Sequence, residues 1–173
     1  MIPAWRDGIL QPVEKLAAHQ LGLRHKAVSV FVMNGTELLI QQRALGKYHT
    51  PGQWANTCCT HPAWEEPNDV CAQRRLKEEL GISGLALSHR GQVEYRADVG
   101  NDLVEHEVVE VFVGEASKDL PMTLNPDEVH ATRWVSVADL RDEIASEPAS
   151  FTPWLAIYLA EHSKMIWPEI APT

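Results

Sequence analysis

The segment WANTCCTHP, residues 54–62, places a thiol and an imidazole two positions apart, at Cys59 and His61. A thiol can carry a proton or act as a nucleophile, and an imidazole can ligate a metal ion. The chain holds three cysteines, which are Cys58, Cys59 and Cys71. Because this number is odd and adjacent cysteines rarely bridge each other, a disulfide framework is a poor explanation. The set indicates reduced thiols and a cytoplasmic location.

Three histidines and two glutamates form a second group of residues that could do chemistry. His19, His25 and His61 lie in the first part of the chain, and Glu105 and Glu107 lie two residues apart in a strand-like segment. Residues i and i+2 of a strand share one face. Taken singly, each histidine is more often a surface or hydrogen-bonded core residue. Taken together, three nitrogens and two carboxylates suit an octahedral Mn²⁺, Mg²⁺ or Zn²⁺ ion.

A charged helix is predicted within EEPNDVCAQRRLKEELGI, residues 65–82. Residues four apart share a helix face, so Arg74 is expected near Glu78 and Arg75 near Glu79. One interpretation is a solvated face with ion pairs that support the helix.

Six positions of this segment also match the Nudix box, and they are Glu66, Arg74, Glu78, Glu79, Gly81 and Ile82. The resemblance implies an acidic helix face that holds Mg²⁺ against a diphosphate, a role that suits hard carboxylate oxygens. Two positions differ from the Nudix box. Thr60 occupies the position of its first glycine, and Arg75 occupies the position of one of its glutamates. Arg75 removes a metal ligand and adds a planar phosphate contact. The segment is therefore expected to hold a diphosphate rather than to cleave it.

The motifs TCCTHP, YRA, LVEHEV and FTPW, together with the altered Nudix box, resemble the type I isopentenyl diphosphate isomerases. The similarity runs from about Gly8 to the final helix. It implies a single-domain Nudix-type α/β/α sandwich with a mixed sheet, of the α+β class. It also implies an enzyme that interconverts isopentenyl and dimethylallyl diphosphate, for isoprenoid precursor biosynthesis.

The same resemblance implies roles for individual residues. The catalytic group comprises a thiol, an acid, a tyrosine near that acid and a pocket tryptophan, which fall on Cys59, Glu107, Tyr95 and Trp154. The ligands of one divalent ion, Mn²⁺, Mg²⁺ or Zn²⁺, fall on His19, His25, His61, Glu105 and Glu107. Contacts to the substrate diphosphate fall on Lys15, Arg43, Lys47 and Arg75, and Glu79 takes a Mg²⁺ that accompanies the substrate. The spacing from His19 to His25 is one residue shorter than the family pattern, so the loop between them is expected to close differently.

Moving a double bond along an isoprenoid requires protonation of one carbon and deprotonation of another, through a tertiary carbocation. We expect Glu107, with Tyr95 behind it, to handle one proton and Cys59 the other. The site must be dry, because water would quench the cation. The π face of Trp154 could stabilise the positive charge by about 2 kcal/mol or more.

These residues must be positioned by a mixture of strands and helices. The segments KAVSVFVM and ELLIQQR around an Asn-Gly turn predict a hairpin over about 26–33 and 37–42. A helix is expected from Asn68 or Asp69 to a stop at Gly81. Further strands are predicted in 87–97, 105–116 and 132–137, and a helix capped by Ser136 follows. A C-terminal helix over about 152–166 begins at Thr152, and residues 1–10 are expected as a short extension.

The composition of the chain limits the kinds of partner that it can bind. A chain of 173 residues with 45% apolar residues can bury one core, so a single domain over 1–173 is expected. The net charge of −9 argues against nucleic acid, which requires a basic surface. The apolar runs are too short for a membrane span. We therefore expect a small diphosphate as partner, with neither nucleic acid nor membrane, and a monomer or weak dimer.

Two other functions stay open at this point. A Nudix pyrophosphohydrolase would release phosphate from nucleoside diphosphate derivatives, and Arg75 argues against it. A non-catalytic, metal-dependent binding module is the second alternative. The variant Cys59→Ala separates them, because hydrolysis or binding should survive this change and isomerisation should not.

Overall fold

A computed structural model describes residues 1–168. In these residues nine strands form one sheet, with helices against both of its faces. The strands are β1 (Ile2–Arg6), β2 (Ile9–Val13), β3 (His25–Asn34), β4 (Glu37–Arg43), β5 (Trp54–Ala55), β6 (Cys58–Thr60), β7 (Leu87–Asp98), β8 (Val104–Glu115) and β9 (Val129–Ser136). The helices are α1 (Lys15–Gln20), α2 (Asn68–Leu80), α3 (Val137–Ser146), α4 (Pro153–Glu161) and α5 (Ser163–Ile166).

Strand β3 organises the sheet. One of its edges pairs in parallel with β8 from His25↔Glu107 to Met33↔Glu115. Its other edge is shared in succession by β1, β6 and β4. Strands β3 and β4 pair only beside their turn, from Val32↔Leu39 to Asn34↔Glu37, and β4 then pairs with β5 and β9. Beyond the hairpin the sheet therefore divides into two branches. One contains β3 with β1, β6 and β8, and the other contains β4 with β5 and β9.

The two faces of β3 belong to two separate apolar cores. Ala27, Phe31 and Met33 pack against the C-terminal helices, in a core that includes Leu155 and Tyr158. Successive strand residues point to opposite faces, so Val28, Val30 and Val32 pack instead with Ala72, Leu76 and Leu80 of α2. This three-layer arrangement confirms the predicted α/β/α sandwich with a mixed sheet.

Helix α2 ends where the sequence indicates. Gly81 adopts a left-handed conformation with φ 72°, and its amide donates to the carbonyl of Lys77. A Cβ at this position would lie 2.7 Å from the backbone nitrogen of Thr123. Only glycine therefore satisfies both the turn and the close backbone contact.

The predicted hairpin and the α2 helix are confirmed within one residue at each end, and Ser136 caps α3 as predicted. Residues 1–10, expected as a short N-terminal extension, form β1 and the start of β2, and Ala4 pairs with His25 of β3. The C-terminal helix expected over 152–166 is divided into α4 and α5 at His162, whose backbone leaves helical values. Thr152 precedes α4 but makes no side-chain capping bond.

None of the helices within residues 1–168 is long and apolar enough to cross a membrane.

Candidate active site

A narrow cavity lies where the two branches of the sheet separate. It is lined by the predicted site residues Lys15, Arg43, Lys47, Cys59, His61, Arg75, Glu79, Tyr95, Glu105, Glu107 and Trp154. Gln41, Tyr48, His49, Thr60 and Glu128 complete the lining. The remaining predicted residues, His19 and His25, lie behind Glu105 and contact it. Strand divergence thus brings segments that are distant in sequence into one site.

Helix α1 and strand β3 each contribute a histidine whose Nδ1 faces the backbone. Nδ1 of His19 lies 2.6 Å from the carbonyl oxygen of Lys15, and Nδ1 of His25 lies 2.7 Å from that of Leu23. Because a carbonyl oxygen only accepts, each Nδ1 carries a hydrogen. Each Nε2 is left to take up a proton or a metal ion, as in most metal-ligating histidines.

The ligand atoms of His19, His25, His61 and Glu105 lie within 4.8 Å of one another. Within residues 1–168, Nε2 of His19, Nε2 of His25 and Oε2 of Glu105 have no hydrogen-bond partner. Burial opposes a charge on His25, but the carboxylates of Glu105 and Glu107, each 3.6 Å from its Nε2, outweigh burial and raise its pKa to about 10. The cluster therefore attracts positive charge. Its nitrogen and oxygen ligand atoms suit a divalent cation, which would take the place of the proton on His25.

Glu107 lies beside this group and uses both carboxylate oxygens. Oε1 is 2.8 Å from Nε2 of His61 and 3.6 Å from Nε2 of His25. Oε2 accepts a hydrogen bond from the Tyr95 hydroxyl at 2.5 Å. Burial disfavours ionisation, but the contacts with His25 and Tyr95 outweigh it and hold the pKa of Glu107 at about 2. Tyr95 is consequently placed to exchange a proton with Oε2.

The two adjacent cysteines point to opposite faces of β6. Cys58 is fully buried in the core that contains Cys71 and α2, as expected for a small apolar residue. Cys59 faces the cavity, and behind it Oγ of Ser29 lies 3.3 Å from its Sγ. Burial and the nearby Glu107 raise the pKa of the Cys59 thiol well above its usual range. Cys59 therefore keeps its proton in this environment.

Helix α2 supplies a different set of charges on the opposite side of the cavity. Nη2 of Arg75 lies 2.7 Å from Glu79 and 3.2 Å from Glu128. Lys47 also pairs with Glu128, and Gln41 donates to Glu79 at 3.2 Å. These cations are already compensated by carboxylates.

Arg74 lies outside the cavity, although it is the neighbour of Arg75. It bonds Glu66 at 2.6 Å and Glu78 at 2.8 Å. The predicted ion pair with Glu78 is confirmed, and Arg75 likewise contacts Glu79 as predicted. One face of α2 thus supports the fold, whereas the other faces the site.

Trp154 forms an aromatic wall at the start of α4. Its side chain is 2% exposed, and the guanidinium of Arg43 lies 5.3 Å from its ring. The ring of His49 lies 6.1 Å away. Trp54 and Trp64 do not line the cavity; Arg133 lies over the ring of Trp54, and Trp64 is 36% exposed.

Sequence reasoning missed Gln41, Tyr48, His49 and Glu128 of the cavity lining, and two residues behind it. His49 lies 3.4 Å from Glu105, and burial together with Arg43 lowers its pKa to about 3. Glu128 pairs with two cations, and Tyr158 and Ser29 lie behind Cys59. Strand alternation from His25 would have placed Ser29 on the cavity face. His49 and Glu128 lie in irregular segments, where no periodicity indicates which way a side chain points.

Residues 23–155 match the NUDIX domain family. The chain is 64% identical over 167 residues to the isopentenyl-diphosphate Delta-isomerase of Cereibacter sphaeroides, an alignment that covers 96% of this chain and 94% of that protein. It is 60% identical over 171 residues to the protein of the same name from Dinoroseobacter shibae, with 99% and 97% covered.

Solved structures agree at the level of the fold. A crystal structure of a Deinococcus radiodurans protein superposes with a TM-score of 0.72 at 16% identity, and covers 91% of this chain and 96% of that one. A MutT NUDIX hydrolase from Burkholderia pseudomallei superposes with a TM-score of 0.61 at 24% identity, with 79% and 95% covered.

Proposed function

The chain belongs to the NUDIX domain family and, within it, to the isopentenyl-diphosphate Delta-isomerases, and from this premise we propose how its residues interconvert isopentenyl and dimethylallyl diphosphate. One observation carries the proposal: the cavity combines a thiol, an acid and an indole with a group of cations. The cations suit a diphosphate, and the other three groups suit proton transfer beside a transient carbocation.

Glu107 and Cys59 are proposed to exchange the two protons. They lie on β8 and β6, which pair with opposite edges of β3, and both line the cavity. Cys59 holds a thiol proton, and Tyr95 can pass a proton to or from Oε2 of Glu107. One group protonates a carbon of the alkene while the other removes a proton elsewhere, and their roles exchange in the reverse reaction.

Trp154 is proposed to face the cationic intermediate. Its ring is almost completely buried, and a desolvated indole attracts a cation by about 2 kcal/mol or more. Burial also keeps water from the intermediate. Lys15, Arg43, Lys47 and Arg75 would bind the diphosphate and hold the hydrocarbon against this wall.

Two divalent cations are proposed for this site. His19, His25, His61, Glu105 and Glu107 would hold one, either Mn²⁺, Mg²⁺ or Zn²⁺. The ligand atoms of the first four lie close together, and each of these residues has a buried nitrogen or oxygen without a hydrogen-bond partner within residues 1–168, which supports this assignment. When bound, this ion supplies positive charge that fixes the Glu107 carboxylate and tunes its acidity. Glu79 would contact a Mg²⁺ that arrives with the diphosphate, since hard carboxylate oxygens suit that ion.

We propose a cytoplasmic monomer or weak dimer that binds neither nucleic acid nor membrane. The net charge of −9 disfavours a nucleic-acid partner, and the cysteines are unpaired as a reducing compartment requires.

The decisive experiment incubates the purified protein with isopentenyl diphosphate and Mg²⁺ in D₂O. We expect deuterated dimethylallyl diphosphate by mass spectrometry and no phosphate release. Cys59→Ala should abolish product formation, and Cys58→Ala, on the other face of β6, should retain it. Steady phosphate release, or full activity of Cys59→Ala, would contradict the proposal.

A further inference from the structure

A chain of hydroxyl groups ends on the thiol of Cys59. Oγ of Ser29 lies 3.3 Å from Sγ of Cys59 and 2.8 Å from the hydroxyl oxygen of Tyr158. Ser29 and Tyr158 are both completely buried. Neither lines the cavity, and their hydrogen bonds connect to it through the sulfur atom.

The backbone holds this chain in place. Ser29 of β3 is the direct pairing partner of Cys59 of β6, and directly paired residues project from the same face. The ring of Tyr158 packs edge-on against Phe31 at 5.2 Å and Tyr95 at 5.9 Å. Strand register therefore fixes Ser29, and aromatic packing fixes Tyr158.

The hydrogen atoms of the chain have a favoured direction. Within residues 1–168 the Tyr158 hydroxyl has Ser29 as its single hydrogen-bond partner, and a phenol is a stronger donor than an aliphatic hydroxyl. When Tyr158 donates to Oγ of Ser29, the single hydrogen of Ser29 is free to point at Sγ. Successive hydrogen bonds in such a chain also polarise one another.

We propose that Ser29 and Tyr158 are positioning residues, which fix the rotamer and the hydrogen direction of the Cys59 thiol through a two-hydroxyl chain. With Ser29 directed at one side of the sulfur, the S–H bond is left to point into the cavity, where the substrate carbon would lie. Tyr158 acts through Ser29 by setting its hydroxyl direction. This inference rests on the proposed role of Cys59 in proton transfer.

The experiment compares Ser29→Ala, Tyr158→Phe and the double variant. We expect kcat to fall about tenfold in Ser29→Ala and about fivefold in Tyr158→Phe, with KM unchanged, because only the alignment of the thiol is lost. The double variant should match Ser29→Ala, since Tyr158 has no route to the sulfur without Ser29. Ser163→Ala, which removes another buried hydroxyl from the C-terminal helices, is the matched control and should keep the wild-type kcat.

Cys59→Ala, assayed beside these variants, distinguishes a failure of the positioning proposal from a failure of the proposed role of Cys59. If it is inactive while Ser29→Ala keeps the wild-type kcat, the positioning proposal is wrong and the role of Cys59 stands. If it is active, both are wrong. Two further results would also overturn the positioning proposal. One is a fall in kcat of the double variant that equals the product of the two single falls. The other is a fall in kcat that matches a loss of folded protein measured by circular dichroism.

Discussion

The two charged sides of the cavity differ in whether their polar and charged atoms already have partners. On the histidine side, formed by His19, His25, His61 and Glu105, several nitrogen and oxygen atoms lie close together and have no hydrogen-bond partner within residues 1–168. On the helix side, formed by Lys47, Arg75, Glu79 and Glu128, the cations and carboxylates already contact each other.

This difference separates a permanent ligand from a transient one. The histidine side gains a partner only when a proton or metal ion enters, so it favours a resident cation. The helix side is satisfied by itself, and a diphosphate must compete with Glu128 for Lys47 and Arg75. A metal is therefore expected to stay on the histidine side through many turnovers, whereas the contents of the helix side change in each one.

Glu107→Gln should have the largest effect, because it keeps the shape of the side chain at the edge of the histidine side but removes an ionisable oxygen. We expect kcat to fall by about 10³-fold or more in initial-rate measurements. Glu110→Gln is the control, since Glu110 lies on the same strand but bonds His89 and Gln92 away from the cavity. Near-normal turnover of the Glu107 variant would reject its assignment as an acid.

His61→Ala should break the histidine side alone. Loss of one imidazole is expected to weaken Mn²⁺ binding about 100-fold or more by calorimetric titration. Chelation should lower the Tm of the wild type, because an ion that binds only the folded state stabilises it. His89→Ala, at an exposed histidine, should behave as the wild type does. Equal Mn²⁺ affinity in both variants would remove His61 from the ligand set.

Arg75→Glu should break the helix side alone. Losing a charge-assisted contact is expected to weaken substrate binding by about 2–3 kcal/mol, without new hydrolysis. Arg74→Gln is the control, because Arg74 is paired outside the cavity. Substrate affinity is measured by titration, and inorganic phosphate by a colorimetric assay. Steady phosphate release from the Arg75 variant would favour the hydrolase interpretation.

Trp154 belongs to neither side, and its substitution tests whether the indole stabilises charge or only packs. Trp154→Leu should lower kcat about 30-fold, and Trp154→Phe only about threefold, because a phenyl ring keeps a weaker π face. An ammonium mimic of the carbocation should bind the leucine variant correspondingly worse than wild type. If both variants turn over equally and bind the mimic equally, the indole is packing alone.

Glu66 provides the smallest expected effect and lies outside both sides. The hydrogen bonds from Arg74 hold the pKa of Glu66 at about 2, below its unfolded value of about 4.3. The contribution to stability is therefore present above about pH 4.3 and is lost as pH falls towards 2. Because Arg74 is 35% exposed, we expect only about 1 kcal/mol. Urea unfolding of Glu66→Gln and wild type should differ at pH 7 and converge near pH 2; an equal difference at both pH values would contradict this.

Periodic elements were predictable from the sequence, and irregular ones were not. Strand alternation placed Glu105 and Glu107 on one face, and helix spacing separated Arg75 from Arg74. The N-terminal hairpin was missed, because ILQPV contains a proline and lacks clean alternation. His49 and Glu128 depend on where long connections pass over the cavity, and that is decided by tertiary packing. The pairing of Ser29 with Cys59 depends on strand register, which no local pattern supplies.

The opposed orientation of the two neighbouring cysteines in β6 also bears on how the protein withstands oxidants. A disulfide requires side chains that point towards each other, whereas Cys58 faces one core and Cys59 the other side of the sheet. The remaining cysteine, Cys71, shares the core of Cys58. An oxidised Cys59 would find no second thiol of its own chain on its side of the sheet, so damage there would advance to sulfinic acid unless an external thiol reduced it.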